Sequence, residues 1–537
     1  MKKKIKNLFV PSIIIIPSLL IYMFIPMDKG SYNLEPDTRL LNGKEEYLNK
    51  PGGLADSSKT NILWLIVDDL SIADTDLYTD GPVHVPNLIR LAKRGVKFTN
   101  AYVSSPVCSP SRASILTGRY NQRFGFEHQL HERYLSNRIE YYAFKYLIDS
   151  YPWEPQYQTE VPDEQVIAEM GLPLSEISLA EIVKKQGYSS AYIGKWHVGK
   201  LESNSPLAFG FNEFYGFMAS HSLYVPEGTP GFTDQKIPED FTDEYIWEGQ
   251  REGLHAIRKN GQEISESRYL TDAITDEAIE FISKNNDNPF YCVAAYNAPH
   301  TPLQAPDEYV NEFAGVEDPY KRVHYAMIKS LDDNIGRLLD YLDETGLAQN
   351  TLVMFISDNG GAEYNLTTDN GDYQGGKITN FEGGVKVPML MSWPGVIPEN
   401  STYDQLTHAT DLFMTSANAA GASLSGDRIY DGANLLESVL KAQPAHEYVF
   451  FQMGDNRAVR NARWKLTWNE DNGDSSLYFI KEDPFEFTDR YAEKPPVIDS
   501  LVAAFKEWSA LNRSAAWPSM IYYHYTDVNG KEHYFDE

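Results

Sequence analysis

Residues 61–69 read Asn61-Ile-Leu-Trp-Leu-Ile-Val67 followed by Asp68-Asp69. A continuous apolar run of this length suits a strand buried on both faces, the situation of a parallel strand with helices above and below it. The run stops at two aspartates. In open α/β sheets ligands bind beyond the carboxyl ends of the strands, so Asp68 and Asp69 stand where site residues belong.

The same rhythm continues on either side. Pro86 to Arg94 reads as a short helix, with proline at its start and Gly95 as its stop. Ser178 and Glu181 form a capping-box signature before a helix that stops at Gly187. A strand Ser189–Ile193 then delivers Lys195 and His197. A helix around Asp272–Ser283 leads to a strand Phe290–Tyr296, which delivers His300. An amphipathic stretch with Val323, Met327, Ile335, Leu338 and Leu342 precedes a strand Thr351–Ser357, which delivers Asp358-Asn359. Alternating helix and strand predicts an α/β domain around a large doubly wound, mostly parallel sheet over residues 61–425. Residues 126–170 break the rhythm and read as an insertion near the site. From about 426 to 537 the elements become short strands (Tyr448–Gln452, Trp464–Trp468, Leu477–Ile480), a helix near Val497–Leu511 and a Tyr-rich tail, predicting a smaller C-terminal α+β subdomain.

The chain has 537 residues, a net charge of -29 and a sequence pI near 4.8. An acidic surface repels nucleic acid and anionic membranes, so neither is an expected partner, and an anionic substrate would need a local cluster of cations. The two cysteines, Cys108 and Cys292, allow at most one bridge. Cys292, within an apolar strand, reads as core. Lys2, Lys3, Lys4 and Lys6 precede an uncharged, mostly apolar run from Asn7 to Met27. Residues 1–27 therefore read as a signal peptide or membrane anchor, placing the protein outside the cytoplasm, periplasmic or secreted, with membrane contact only through that segment. Residues 28–60 read as a polar linker.

The chemistry-bearing residues lie at the ends of these strands. Cys108-Ser109-Pro110-Ser111-Arg112 falls where a helix begins and runs to Gly118, so Cys108 lies at a helix N-terminus that favours anions and Arg112 one turn in. Asp68, Asp69, Asp358 and Asn359 offer four oxygen-bearing side chains and no nitrogen or sulfur, a set that suits a hard cation such as calcium better than zinc.

Cys-x-Pro-x-Arg followed by Leu116-Thr117-Gly118-Arg119-Tyr120 resembles the signature of the type I, formylglycine-dependent sulfatases of the alkaline phosphatase-like superfamily, among them bacterial polysaccharide sulfatases. The resemblance extends in order through Asp68-Asp69, Gly194-Lys195-Trp196-His197-Val198-Gly199, Asn297-Ala298-Pro299-His300, Asp358-Asn359-Gly360-Gly361 and Gly375-Gly376-Lys377. It implies a sulfatase in which a maturing enzyme oxidises Cys108 to formylglycine (3-oxoalanine). One calcium ion would be held by Asp68, Asp69, Asp358, Asn359 and residue 108. Arg112 and Lys195 would hold the nucleophile and sulfate oxygens. His197 would take a proton from the aldehyde hydrate, and His300 with Lys377 would bind sulfate and protonate the leaving oxygen.

His221, after Phe214-Tyr215-Gly216-Phe217, is a further substrate-binding candidate. His128, His131, Tyr134 and Arg138 in the insertion are candidates for a glycan subsite. Export, acidity and the aromatic-rich insertion point to a sulfated carbohydrate substrate. The alternatives are a phosphonate or phosphodiester hydrolase of the same superfamily and an inactive glycan-binding relative.

Overall fold

The computed structural model describes residues 25–537 other than Asn33, Leu54, Ala55 and Ser57. Strand Asn61–Asp68 lies near the middle of a ten-stranded mixed sheet, whose strands begin, in order across it, at residues 262, 258, 213, 189, 290, 61, 351, 389, 95 and 401. The five central strands, beginning at 213, 189, 290, 61 and 351, are mutually parallel. Antiparallel pairings occur only toward the flanks of this sheet, at the strands beginning at 258 and 389. The apolar run is continuous because both faces are covered. Ile62, Trp64 and Ile66 enter one core, whereas Leu63, Leu65 and Val67 enter the other, as a two-residue period requires.

Helices take the ends their caps dictate. Pro86–Lys93 begins on its proline. Leu179–Lys184 carries the complete Ser178/Glu181 capping box. Cys108–Thr117 ends at Gly118, which adopts a left-handed φ of 68°, a conformation glycine reaches without a Cβ clash. Helix Pro319–Glu344 covers the sheet face that Leu63 and Val67 share.

Three stretches differ from the sequence expectation. Residues 28–60, read as a linker, contain helix Thr38–Asn49, which buries Leu40, Lys44 and Tyr47; Lys44 pairs with Glu181 at 2.7 Å. Its apolar residues are too sparse to signal a buried face, and it is held by long side chains, Lys44 and Tyr47 from the helix and Lys185 and Arg428 onto its carbonyls. The stretch 126–170 carries its own helices, Arg138–Leu147 and Glu164–Glu169, and a strand Trp153–Pro155. The Tyr-rich tail is a hairpin, Ile521–Thr526 with Glu532–Asp536, and Trp153–Pro155 pairs on its edge. Before it, four strands beginning at 448, 456, 465 and 475 form an antiparallel meander against helix Val497–Ser509.

No helix among the described residues is long and apolar enough to cross a membrane. The signal or anchor reading of residues 1–27 falls, up to residue 24, outside the described residues.

A buried ionic knot ties the meander to the large sheet. Glu382 accepts from Tyr102 Oη at 2.7 Å and pairs with Arg460 at 3.0 Å and Lys465 at 3.1 Å; Lys465 also pairs with Glu486 at 2.9 Å. Glu486 in turn accepts the backbone N–H of Glu382. Removing one partner of such a set leaves a buried charge uncompensated. Lys465→Met is therefore expected to destabilise the fold by about 3 kcal/mol. Denaturant unfolding checks this, and a loss below about 1 kcal/mol would mean that the knot contributes little.

Candidate active site

The four adjacent parallel strands beginning at 189, 290, 61 and 351 end at one edge, so their carboxyl ends deliver Lys195, His300, Asp68 with Asp69, and Asp358 with Asn359 to one place. Register fixes this: Ser357 lies opposite Val67 and Pro299 opposite Asp68. Lys195 reaches the cluster because Gly194 (φ 121°) lets the backbone press against strand 290–299; a Cβ there would lie 1.9 Å from the Ala295 carbonyl oxygen.

The helix Cys108–Thr117 points its N-terminus at this edge. The Cys108 thiol is fully buried, 3.3 Å from Asp68 Oδ1 and 3.9 Å from Asp69 Oδ1. Arg112 donates from Nε to Asp358 Oδ2 at 2.6 Å and from a terminal nitrogen to the Lys195 carbonyl at 2.9 Å. Lys195 Nζ donates to Asp68 Oδ2 at 2.5 Å, and Lys377 Nζ to Asp69 at 2.9–3.0 Å. His300 Nε2 stands 3.8 Å from Asp69 Oδ2, with Nδ1 donating to the Thr301 carbonyl at 2.6 Å. His197 is buried with neither ring nitrogen partnered. Asp69 and His197 both adopt left-handed backbone angles, φ 65° and 54°. For residues other than glycine these carry strain, and such strain concentrates at functional sites.

Burial and charge shift the Cys108, Asp68, Asp358, His197 and His300 titrations. Burial pushes the Cys108 thiol up, and the neighbouring Asp68 carboxylate pushes it further. Burial would raise Asp68, but Lys195, with His300, Arg112 and Lys377, holds it well below the usual carboxylate range. Burial and the Asp68 charge raise Asp358 to about 7. Burial, reinforced by Lys195 and Arg112, holds His197 well below neutrality. Burial and Lys377 lower His300 to about 4. Both histidines are thus neutral imidazoles able to accept a proton.

The donor set fits a hard cation. Asp68, Asp69, Cys108 and His300 bring one ligand atom each to within 4.8 Å of one another. Beside them, Asp358 Oδ1 accepts from Asp69 N at 3.4 Å, and Asn359 Oδ1 is buried with no partner. Three carboxylates face three permanent cations, Arg112, Lys195 and Lys377, so these groups alone give no net positive charge to hold an anion. A divalent cation among the oxygens would supply it.

The sequence of residues 60–422 matches the sulfatase family. The chain belongs to the sulfatases. N-acetylgalactosamine-6-sulfatase of Homo sapiens is 34% identical over 403 residues, 74% of this chain and 68% of that protein. The Mus musculus enzyme of the same name is 32% identical over 422 residues, 76% and 72% of the two chains. Human steryl-sulfatase is 31% identical over 468 residues, 76% and 74%. Among solved structures, Ps i-CgsB in complex with k-i-k-neocarrahexaose superposes with a TM-score of 0.72 at 28% identity, covering 86% of this chain and 94% of that one. This sulfatase is accordingly a sulfuric ester hydrolase with the alkaline phosphatase-like α/β fold.

Asp68, Asp69, Cys108, Arg112, Lys195, His197, His300, Asp358, Asn359 and Lys377 lie together at this edge, whereas Arg119 of the same motif pairs with Glu176 and Tyr120 packs on the C-terminal meander. His221 lies at the margin of the cluster, buried, with Nδ1 at 2.8 Å from Ser220 Oγ and Nε2 unpartnered. The insertion candidates are placed differently. His131 Nε2 bonds the Glu537 carbonyl at 3.1 Å, and Tyr134 Oη bonds the Pro518 carbonyl at 2.8 Å, so these side chains hold the C-terminal segment. His128 is buried beneath it, next to Trp517, whose indole N–H bonds the His128 carbonyl. Sequence reasoning passed over Glu132, between His131 and Tyr134, which is half exposed and pairs with His255. A lone acidic residue in an acidic chain carries no signal of its own.

Proposed function

We propose that the sulfatase removes sulfate from a sulfated polysaccharide outside the cytoplasm, through a formylglycine at position 108 and one calcium ion held by Asp68, Asp69, Asp358, Asn359 and residue 108. The supporting observation is the buried thiol at a helix N-terminus, enclosed by three carboxylates, three permanent cations and two neutral histidines. A thiol whose ionisation is opposed by burial and by Asp68 is a poor nucleophile as it stands. When present, the aldehyde hydrate supplies the nucleophilic oxygen, and calcium polarises a sulfate oxygen.

The remaining roles belong to the chain's own groups. Arg112, one helical turn from residue 108, and Lys195 hold the position of the nucleophile and the sulfate oxygens. His197, with two free ring nitrogens, accepts a proton from the hydrate. Lys377 and His300, both beside Asp69, bind sulfate from the far side; His300, neutral without the anion, gains a proton at Nε2 as the sulfate charge comes beside it, and the pair donates the proton to the departing alcohol oxygen. His221 meets the substrate next to the sulfate. The known ligand of Ps i-CgsB, a neocarrahexaose, supports a carbohydrate as the alcohol. The basic-then-apolar segment 1–27 supports export, and a formylglycine-generating or sulfatase-maturing enzyme would be the required partner.

The test is protein made with that maturation system. Mass spectrometry of the peptide containing residue 108 is expected to show the aldehyde or its hydrate. Sulfated algal and animal glycans are expected to release sulfate, and a sulfate ester to turn over faster than its matched phosphonate ester. An unmodified thiol in a host that converts a control sulfatase, or preference for the phosphonate, would refute the reading.

A further inference from the structure

Outside the motif cluster, one group of titratable side chains has a geometry that fixes its charge. His255 follows the short 3-10 turn Gly253–His255 and is buried. Its Nδ1 lies 2.8 Å from the His221 carbonyl oxygen, and its Nε2 lies 3.3 Å from Glu132 Oε1. A carbonyl and a carboxylate oxygen can only accept, so each ring nitrogen must carry a proton to be satisfied. This geometry favours His255 as an imidazolium, paired with a carboxylate supplied by the 126–170 stretch.

This cation is stacked on His221. The two ring centroids are 4.3 Å apart with planes inclined by 38°. A second positive charge at that distance is unfavourable, so His221 stays neutral, and its pKa is held well below the ordinary histidine value by burial first and by His255 next. The His221 Nε2 is buried without a partner. Gly249 faces both rings: a Cβ built there would lie 3.1 Å from each Nε2. Gly249 thus packs closely on both rings where a larger residue would crowd them, and Asp68, Lys195 and His300 act electrostatically on His221.

We propose that Glu132 and His255 are positioning residues for substrate: Glu132 holds His255 as an imidazolium, and this fixed charge strengthens anion binding while keeping His221 a neutral hydrogen-bonding partner for the sugar oxygen beside the sulfate. The proposal rests on the sulfate-ester reading of the neighbouring cluster. It makes the contact of the 126–170 stretch with His255, and not the motif residues, the source of the charge beside His221. The titratable groups acting on His255 are Glu132 from that stretch and His221 from the loop after strand Glu213–Phe217, and Gly249, the cap after helix Asp243–Glu248, packs on the ring. Lys200 bears on Glu132 from behind.

The sign follows from the pairing. With Glu132 in place the His255 pKa is raised against its burial, so the charge is lost only as pH rises through a midpoint above the ordinary histidine value. In Glu132→Gln the midpoint is expected to fall by about one unit or more, because the opposite charge that favoured the imidazolium is gone. Imidazole NMR titration of the full chain reads this directly, the His255 signal being assigned by its absence in His255→Asn. Inorganic sulfate binding is expected to weaken about fivefold as pH rises through the His255 midpoint read by NMR, and in Glu132→Gln this fall is expected to move to lower pH together with the midpoint, with Glu132→Asp restoring the parent profile. A His255 midpoint that is the same with and without Glu132 would overturn the pairing. Sulfate affinities that follow one pH curve in both proteins would overturn its role at the pocket. Failure of the parent protein to hydrolyse any sulfate ester would instead refute the function proposed above, and leaves the NMR titration a valid test of the charge.

Discussion

Cys108→Ser, loaded with calcium and given a sulfate ester, is expected to turn over once and stop. The serine hydroxyl can attack sulfur, take the sulfuryl group and release the alcohol, but the resulting serine sulfate has no second hydroxyl through which to expel sulfate. One equivalent of alcohol per chain should appear, and the intact protein should gain the mass of one SO3 group on the peptide containing residue 108. Cys108→Ala, with no nucleophile, should show no burst and a kcat lowered by at least about 10,000-fold. Continued turnover by the serine variant would show that the second hydroxyl of an aldehyde hydrate is dispensable, and with it the reason for modifying Cys108. Both substitutions are small and the residue is buried at a helix N-terminus, so Tm should move little, which separates loss of chemistry from loss of fold.

The second large effect is expected from removing the divalent cation. Asp68, Asp69 and Asp358 are all buried and face Lys195, Lys377 and Arg112. Stripped of a cation, this arrangement is neutral in permanent charge and its ammonium groups are drawn onto the carboxylates, away from an incoming sulfate. Chelation with EGTA is expected to lower kcat by about 1,000-fold, with calcium restoring it and zinc not, because the donors are oxygens and none is a thiolate after modification. Calcium should also raise Tm in a concentration-dependent way, since a ligand of the folded state stabilises by mass action. Asp358→Ala should abolish that rise while the sheet remains intact. Full activity in EGTA, with no shift in Tm on adding calcium, would exclude the ion from the reaction.

Much of the site was legible because its residues sit at strand ends, and strand ends can be read from runs of apolar residues. The strand expected at Thr351–Ser357 is found at those residues, and the one expected at Phe290–Tyr296 continues to Pro299. Asp358-Asn359 and His300 follow directly. The helix expected near Cys108 begins on it. What was not legible involves contacts whose partners are far apart in the chain. The helix Thr38–Asn49 has few apolar residues and is held through Lys44, which bonds Glu181 and the Glu176 carbonyl, and through Tyr47, which bonds the Ser423 carbonyl. The final hairpin reads as a Tyr-rich tail because its strands alternate aromatic and polar residues too briefly to stand out. Its third strand, Trp153–Pro155, comes from a stretch more than 350 residues earlier.

The sequence alone determined the fold class and the sulfatase family, and it named the residues that the fold gathers at one sheet edge, because each rests on local pattern: apolar period, caps, and short motifs in a fixed order. Tertiary structure decided which side chains outside those motifs reach the pocket. His131 and Tyr134 were drawn to the C-terminal segment, while Glu132 between them turned to His255. Residue type gives no hint of that outcome. The charge on His255 is set by two oxygens, one from residue 221 and one from residue 132, and only the packing of three distant loops brings both oxygens to the same ring.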